Sequence, residues 1–330
     1  MKRPWLAPLA PLYAAGLAWR NRRIESGAEP VRRLGWPVIS IGNLSTGGSG
    51  KTPLTIALAK GLTQRGLHVD VLSRGYGRLN TLPARVDLQG TAADFGDEPL
   101  LIAREAGVPV YVAAKRYQAG LLAEASGTPP RAVHLLDDGF QHRQLYRDVD
   151  ILLLNGQDWE DSLLPAGNLR EPLEAAYRAS AIATPANDPA LETTLRGWGW
   201  QGPILWLHRR MEVPAIEGSV VAFCGIARPE QFFTGLESAG LRLAARIAFA
   251  DHHLYNFGDL NRLVAAARAS GAAALLTTEK DRVRLGELAH SIPASLPFKT
   301  ASLRIEIENE SAAQDWLMGH LKSCWDTLTR

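Results

Sequence analysis

A glycine-rich loop between an apolar segment and an amphipathic segment constrains the fold of this chain more than any other feature. The loop is Ser45-Thr46-Gly47-Gly48-Ser49-Gly50-Lys51-Thr52. Residues 36–41 before it predict a buried strand, and residues 51–65 after it predict a helix. Glycines let backbone N–H groups turn inward around phosphate oxygens, and a helix N-terminus favours negative charge. The strand, loop and helix therefore predict a phosphate-binding loop of a nucleotide site.

The last two residues of the loop have predicted roles on the bound nucleotide. We expect Lys51 to reach the β- and γ-phosphates and the Thr52 hydroxyl to bind Mg²⁺. Ser45 stands where such loops usually begin with glycine. The alternative is a glycine-rich turn with a chance Lys-Thr pair, which the predicted strand and helix on either side disfavour.

Two adjacent aspartates supply the second part that a nucleotide site needs. Residues 132–136 predict a strand, and Asp137 and Asp138 follow it directly. An aspartate at a strand end can hold the metal ion directly or through water. Aspartates also favour turns and helix caps, so a purely structural pair is the alternative.

Strands and helices alternate along the chain. Buried strands are predicted at residues 36–41, 68–73, 108–113, 132–136, 150–154, 219–224 and 272–277. Helices are predicted between several of them, including residues 51–65 and 100–105. The alternation predicts the α/β class, with a parallel sheet and helices on both faces. The extended segments 203–214 and 298–307 could pair as a connector between the two halves.

Length and composition set the domain count and exclude several classes of protein. The 330 residues suggest about two domains. We predict an N-terminal membrane-surface segment at 1–33, a P-loop ATP-binding domain at 34–205 and a smaller α/β domain with the linker strands at 206–330. A hydrophobic fraction of 46% excludes a disordered chain, and a formal net charge of +2 disfavours a duplex-binding protein. Cys224 and Cys324 match no metal-binding spacing and predict reduced thiols of a cytoplasmic protein.

The N-terminal segment combines apolar and basic residues. Residues 4–19 carry no charge, but 16 residues are fewer than the roughly 20 that span a bilayer as a helix. Seven basic residues against Glu25 and Glu29 give the first 33 residues a net charge of +5; they are Lys2, Arg3, Arg20, Arg22, Arg23, Arg32 and Arg33. This pattern favours a helix lying in a membrane surface. A signal peptide and a terminal helix packed on the core are the alternatives.

Other motifs bear on the choice of nucleotide and reaction. Residues 278–281, Thr-Glu-Lys-Asp, miss the guanine-recognition spacing by one residue, so ATP is the expected nucleotide. A kinase also needs a base for the acceptor hydroxyl. Gly96-Asp97-Glu98-Pro99, predicted on a loop before a helix, and Asp251-His252-His253 supply candidates. Taken separately, each motif is more typical of a cap or a surface turn.

Taken in order, the motifs resemble the tetraacyldisaccharide 4′-kinase family, the lipid A 4′-kinases of Gram-negative bacteria. The matching segments are Pro4-Trp5, Ile41-Gly42-Asn43, Gly47-Gly48-Ser49-Gly50-Lys51-Thr52-Pro53, Ser73-Arg74-Gly75-Tyr76-Gly77, Gly96-Asp97-Glu98-Pro99, Asp137-Asp138-Gly139-Phe140-Gln141-His142, Leu164-Pro165-Ala166-Gly167, Leu169-Arg170-Glu171, Cys224-Gly225-Ile226-Ala227 with Pro229, Asp251-His252-His253 and Thr277-Thr278-Glu279-Lys280-Asp281. The double aspartate before Gly-Phe-Gln and the loop ending in Thr-Pro are the most specific of these. Residues 78–94 and 186–215 carry little of the resemblance.

The resemblance implies a fold, a reaction and site residues. The fold would be two α/β/α sandwiches joined by a two-stranded linker, with the active site in the cleft. The reaction would transfer the γ-phosphate of ATP to the 4′-hydroxyl of a tetraacylated glucosamine disaccharide 1-phosphate, giving lipid IVA. Asp97 would be the base, paired with His252, and Lys51 would act on the phosphates. Mg²⁺ would be held by Thr52, Asp138, Asp137 and Glu171. The acceptor or the phosphates would be positioned by Asn43, Arg74, Tyr76, Glu98, Arg116, Gln141, His142 and Arg170.

The same resemblance implies partners and a location. A substrate with four acyl chains stays in the bilayer, so its kinase would be a peripheral or monotopic protein on the cytoplasmic face of the inner membrane. The expected partners are the lipid disaccharide and an anionic membrane surface, with no nucleic acid, and the chain would be a monomer. One alternative is a membrane-tethered P-loop ATPase switch that needs no lipid acceptor. A kinase for a soluble small molecule is the other, and the N-terminal segment counts against it.

Overall fold

The computed structural model of the chain describes residues 3–127, 129–186 and 188–328, so Lys2 lies outside the described residues. The strands are β1 (Val38–Asn43), β2 (His68–Ser73), β3 (Ala84–Arg85), β4 (Val110–Val112), β5 (Ala132–Asp137), β6 (Val149–Leu153), β7 (Ala181–Pro185), β8 (Ile204–Glu212), β9 (Ser219–Cys224), β10 (Arg242–Ala248), β11 (Ala274–Thr278) and β12 (Phe298–Ile307). The helices are α1 (Ala10–Glu25), α2 (Lys51–Gln64), α3 (Ala92–Phe95), α4 (Asp97–Ala106), α5 (Arg116–Glu124), α6 (Gly156–Trp159), α7 (Pro189–Gly197), α8 (Pro229–Ser238), α9 (Phe257–Ser270), α10 (Glu279–Leu285) and α11 (Glu310–Leu328). Single 3₁₀ helices lie at Pro4–Leu9, Leu173–Arg178 and Gly286–Ser291.

Within the described residues, twelve strands form one continuous sheet. Their order is β10-β9-β11-β12-β8-β7-β6-β1-β5-β2-β4-β3. We define the first unit as β1–β7 with α2–α7, and the second unit as β9–β11 with α8–α10. Pairing is parallel within the core of each unit. The predicted α/β class with a mostly parallel sheet is confirmed.

The central strand of the first unit positions the glycine-rich loop. β1 pairs in parallel with β5 on one side and with β6 on the other. All three strands are buried along their length, as expected for a parallel sheet covered on both faces. Ile41 of β1 is level with Asp137 of β5. Because the carboxyl ends of parallel strands share one edge of the sheet, the loop after β1 lies beside Asp137 and Asp138.

Two strands join the units. β12 pairs in parallel with β11 through its first residues and antiparallel with β8 through its last. β8 in turn pairs in parallel with β7 of the first unit. The predicted connector at 203–214 and 298–307 therefore exists as β8 and β12, and it makes the two sheets continuous.

The C-terminal helix α11 returns to the first unit. Leu317 and Leu321 are fully buried in the same core as β1 and α2. Arg65 Nε at the end of α2 donates to Gln314 Oε1 at 2.8 Å, and Trp325 Nε1 donates to Ala132 O at 3.0 Å. The predicted division of the chain placed this helix in the second domain. The structure places it elsewhere because its apolar face covers α2 and the sheet of the first unit.

Helix α4 begins earlier than the sequence pattern indicates. It starts at Asp97, which the sequence analysis placed on a loop. Acidic residues are favourable in the first helical turn because they interact with the positive end of the helix dipole. Proline is favourable there because its missing N–H has no partner to lose in that turn. Gly96 before it has φ +91°, and a Cβ there would lie 3.0 Å from Tyr76 O. The two carboxylates therefore stand on a helix start pressed against the Gly75–Gly77 loop.

The N-terminal segment is largely exposed. Pro4–Leu9 and α1 together bury only Ile24. Trp5, Leu12 and Trp19 are 76%, 71% and 63% exposed. Tyr13 OH donates to Arg170 O at 2.9 Å and fixes α1 to the first unit. Among the described residues, none of the helices is both long enough and apolar enough to cross a bilayer.

Candidate active site

The glycine-rich loop links β1 directly to α2. Gly50 caps α2 with φ +98°, a left-handed conformation that favours glycine. Thr46 N donates to Asn168 O at 2.8 Å, which ties the start of the loop to the 162–169 segment. The Arg209 guanidinium on linker strand β8 donates to Ser49 O. The loop is therefore held from both sides, with the α2 N-terminus pointing into the cleft.

Asn43, the last residue of β1, organises the cations around the loop. Its side chain is fully buried. Lys51 Nζ donates to Asn43 Oδ1 at 2.9 Å, and the Arg170 guanidinium donates to the same oxygen. Asn43 Nδ2 donates to Ser45 O at 2.7 Å, and Gln141 Nε2 donates to Asn43 O at 3.0 Å. Asn43 thus positions Lys51 and Arg170; its predicted contact with the acceptor stays a prediction.

The two aspartates after β5 have opposite electrostatic environments. Asp138, at φ 50°, receives two hydrogen bonds from Arg170 and lies 3.5 Å from Lys51 Nζ. These cations hold the pKa of Asp138 well below its usual range despite burial. Asp137 is buried and accepts from Thr55 Oγ1 at 3.2 Å. Burial, then the Glu98 and Asp138 carboxylates, raise the pKa of Asp137 to about 7.

The donor set fits Mg²⁺ in part. The buried Asp137 and the partly exposed Asp138 carboxylates, which line one cleft with the buried Thr52, repel one another and favour a divalent cation. Within the described part of the chain, no three His, Cys, Asp or Glu residues form a complete metal site. Mg²⁺ sites in proteins commonly use one or two carboxylates together with water and substrate phosphates, and Asp137 and Asp138 are carboxylates of that kind. Glu171 pairs with Arg178 at 2.9 Å, and no contact within the described residues joins it to Asp137 or Asp138.

Asp97 lies where the two units meet. Its side chain is 6% exposed. Asp97 Oδ2 lies 3.3 Å from His252 Nδ1 and accepts from Arg284 Nε at 2.7 Å. The predicted pairing of Asp97 with His252 is therefore present as a contact, with Arg284 closer. Although burial opposes ionisation, the His252 hydrogen bond and the Arg284 charge hold the pKa of Asp97 well below its usual range.

A second ion pair runs parallel to the first. The Lys280 ammonium donates to Glu98 Oε1. Both cations, Lys280 and Arg284, belong to α10, and both carboxylates belong to the first turn of α4. Lys280 was visible in the sequence as part of a motif, whereas Arg284 belongs to none of the motifs. Its only local sign is the spacing of three residues from Asp281, which suits a helical ion pair.

Most predicted acceptor-binding residues line one basic cavity. The cavity has a volume of about 320 Å³ and is lined by Arg20, Ile24, Arg74, Ala114, Lys115, Arg116, Asp138, Gln141, His142, Arg143, Gln144 and Arg170. Burial, then the charges of Arg116 and Arg147, lower the pKa of His142 to about 4. His142 is therefore neutral at pH 7, as expected in a strongly positive field. Sequence reasoning missed Arg20, which α1 brings into this cavity.

The basic cavity opens beside the larger cleft between the units. That cleft has a volume of about 770 Å³ and includes the glycine-rich loop, both aspartates, Glu98, Tyr76 and His252 among its walls. Tyr76 is 61% exposed and packs on His252 with ring centroids 5.3 Å apart. His252 has φ 58°, a strained conformation for a residue other than glycine. Six of the predicted residues are not among the walls of this cleft: Gln141 and His142 line the basic cavity instead, and Asn43, Ser45, Asp97 and Glu171 are buried.

Comparisons with known proteins agree on one family. A family model described as "Tetraacyldisaccharide-1-P 4'-kinase" matches residues 2–322. The tetraacyldisaccharide 4'-kinase of Koribacter versatilis is 42% identical over 93% of this chain and 96% of its own length. That of Geobacter metallireducens is 39% identical over 85% of this chain and 88% of its own. The crystal structure of the "apo" form of LpxK from Aquifex aeolicus in complex with ATP is similar at a TM-score of 0.75 and 31% identity, covering 96% of this chain and 98% of that one.

Proposed function

The chain belongs to the tetraacyldisaccharide-1-P 4'-kinase family, and we propose how its cleft performs the phosphoryl transfer. The protein is an ATP-dependent kinase with an alcohol acceptor, the 4′-hydroxyl of tetraacyldisaccharide 1-phosphate, and its product is lipid IVA. The observation that carries the proposed mechanism is that one cleft is lined by the loop, with Lys51, and by His252, which lies 3.3 Å from Asp97 Oδ2.

On the donor side, residues 45–52 bind the ATP phosphates. The backbone N–H groups and the α2 N-terminus face the phosphate oxygens. Lys51 Nζ, held by Asn43 Oδ1, places its charge on the transferred phosphoryl group. Thr52, Asp137 and Asp138 would hold Mg²⁺ on these phosphates, where the ion supplies neutralisation of charge.

On the acceptor side, Asp97 takes the proton of the 4′-hydroxyl. As the hydroxyl O–H bond breaks, its oxygen bonds to the γ-phosphorus, and the bond from that phosphorus to the bridging oxygen of ADP breaks. His252 lies 3.3 Å from Asp97 Oδ2 and orients the carboxylate. Phosphoryl transfer passes through a loose transition state that needs little basic strength, so an ionised, well-placed carboxylate suffices.

The basic cavity takes the 1-phosphate of the acceptor. Several buried donors have no hydrogen-bond partner among the described residues: Arg20 Nε and Nη2, Arg116 Nε, and Arg170 Nε. Leaving such donors unpaired costs free energy, which an anionic group would recover. The cavity shares Arg74, Arg116 and Arg170 with the ATP cleft, so one disaccharide can reach both.

The function is tested by following γ-phosphate transfer with three additions to ATP and Mg²⁺: no lipid, tetraacyldisaccharide 1-phosphate, and the same lipid without its 1-phosphate. We expect rapid ATP consumption only with lipid, in a one-to-one ratio to phosphorylated product. Loss of the 1-phosphate removes several charge-assisted hydrogen bonds, so the KM should rise by roughly tenfold or more. ATP hydrolysis that does not respond to either lipid would support the ATPase switch instead.

We place this activity on the cytoplasmic face of the inner membrane, with the chain as a peripheral or monotopic monomer. Exposed Trp5, Leu9, Leu12 and Trp19 supply an apolar surface on the N-terminal segment. Arg22 and Arg23, at the basic end of α1, are also exposed and suit anionic headgroups. Tyr13 and Arg20 of the same helix contact Arg170 and the basic cavity. The segment that meets the bilayer is thus the one that borders the acceptor site.

A triple variant tests the membrane role of this segment. Replacing Trp5, Leu12 and Trp19 with serine removes three exposed apolar side chains, each able to contribute about 1.5–3 kcal/mol when buried. Co-sedimentation with phosphatidylethanolamine–phosphatidylglycerol vesicles should show at least a tenfold loss of partitioning. The matched control replaces Leu88 and Leu121, which are 50% and 46% exposed on the first unit, and should bind normally. Equal binding by both variants would place the membrane contact elsewhere.

A further inference from the structure

One oxygen of the proposed base is contacted by two side chains of the second unit, through three nitrogen atoms. Asp97 Oδ2 accepts from Nε and Nη2 of Arg284 and lies 3.3 Å from His252 Nδ1. The other oxygen, Oδ1, accepts from the backbone N–H of Glu98 at 3.0 Å. The orientation of this carboxylate is therefore set by Arg284 and His252 together, across the cleft between the units.

Arg284 is itself fixed within the second unit. Its side chain is 4% exposed. Its Nη1 donates to Asp281 Oδ1 at 3.1 Å and to Gly225 O. Asp281 is fully buried and is held by Thr278 Oγ1 at 2.6 Å and Tyr255 OH at 3.0 Å. Because each of these groups belongs to the second unit, the guanidinium is in place before it meets Asp97.

We propose that Arg284 is a positioning residue for the phosphoryl transfer, which holds the Asp97 carboxylate ionised and oriented whenever the two units are in contact. The inference rests on the proposed role of Asp97 as the base. Arg284 is thus a second positioning group beside His252. Its Nε lies 2.7 Å from Asp97 Oδ2, closer than His252 Nδ1 at 3.3 Å.

The charged groups around Asp97 determine the expected pH dependence. Lys280 and Arg284 face it from α10, and His252 faces it from the loop after β10. Glu98 on its own helix is neutralised by Lys280, Asp281 by Arg284, and Asp251 lies 4.0 Å from His252 Nε2. Arg284 and His252 both contact Asp97, and burial alone would raise the carboxyl pKa. Removing the guanidinium should therefore raise the pH below which the base is protonated.

The test compares pH profiles of kcat/KM for the lipid acceptor in Arg284→Gln, Arg284→Lys and Arg282→Gln. Arg282 is a matched control on the same helix, since it caps Gly286 O and lies over the Phe298 ring, away from Asp97. A neighbouring cation lowers a carboxyl pKa by roughly 1–3 units, so the acid limb of Arg284→Gln should move up by about that amount. Arg284→Lys should recover part of the shift, and Arg282→Gln should not shift.

Further measurements separate the inference from a general loss of structure and from failure of the proposed function. The affinity for ATP should be unchanged in Arg284→Gln, and the same upward shift should occur in a His252→Gln background. A profile that falls in height but keeps its acid limb would overturn the inference. If Arg284→Gln fails to fold, Arg284→Lys carries the test. A wild-type acid limb and a wild-type kcat/KM in Arg284→Lys would show that the guanidinium geometry is not required, and would overturn the inference. Full activity in Asp97→Asn would instead overturn the proposed base itself.

Discussion

Replacing Lys51 with alanine is expected to lower kcat by roughly 10²–10³, because a preorganised charge on the transferred group contributes about 3 kcal/mol. The Lys51 side chain is 15% exposed and lies between Asn43 Oδ1 and Asp138 Oδ1. Arg170, the neighbouring cation that shares Asn43 Oδ1 with Lys51, is itself paired with Asp138. Steady-state kinetics with saturating acceptor measure the effect.

The matched control for this variant is Lys60→Ala. Lys60 is exposed on the same helix and has the same charge, but it lies about two and a half turns further along α2. It should keep wild-type kinetics. Lys51→Ala should unfold at a temperature close to that of the wild type, because the side chain lies at the cleft rather than in the core. Activity of Lys51→Ala within tenfold of the wild type, in a folded protein, would contradict the phosphate-loop assignment.

The glycine-rich loop and the double aspartate were predictable because both are local patterns. A loop that must turn its N–H groups inward needs glycines, and strand ends can be read from short apolar runs. The parallel sheet follows from the alternation of strands and helices. The pairing of residues 203–214 with 298–307 could be predicted because both segments are extended and partly alternate between apolar and polar residues. These features depend on neighbours in the sequence, which is why the residues alone indicate them.

The features that sequence reasoning missed depend on contacts between distant residues. Arg284 meets Asp97 across 187 positions, and neither residue has a pattern that marks the other. Arg20 joins the basic cavity because α1 packs there, with Tyr13 OH bonded to Arg170 O and Glu25 paired with Arg143. Helix α11 follows the linker strands in the sequence, and that position predicts packing on the second unit. Its apolar face packs on the first unit instead. Burial and charge complementarity decided these contacts, and both require the folded chain.

Asp97→Asn is expected to lower kcat by about 10²–10⁴, the usual contribution of a general base, with little change in the KM for ATP. Asparagine keeps the shape of the side chain and one acceptor oxygen, so the variant tests basicity rather than packing. It also leaves Arg284 without a counter-charge from the first unit, and removing one partner of a buried ion pair can cost about 3–5 kcal/mol of folding free energy. Thermal unfolding must therefore be measured beside the kinetics.

His252→Gln separates orientation from proton transfer. The His252 side chain is 39% exposed and lies 3.3 Å from Asp97 Oδ2, whereas Arg284 Nε lies 2.7 Å from the same oxygen. We therefore expect a smaller loss of kcat than for Asp97→Asn. If His252 acts only through Asp97, the double variant should be no worse than Asp97→Asn alone, since residues that act as one unit are not additive. Multiplicative losses would mean that His252 has an independent contact with the acceptor, for which the Tyr76 ring packed against it offers a wall.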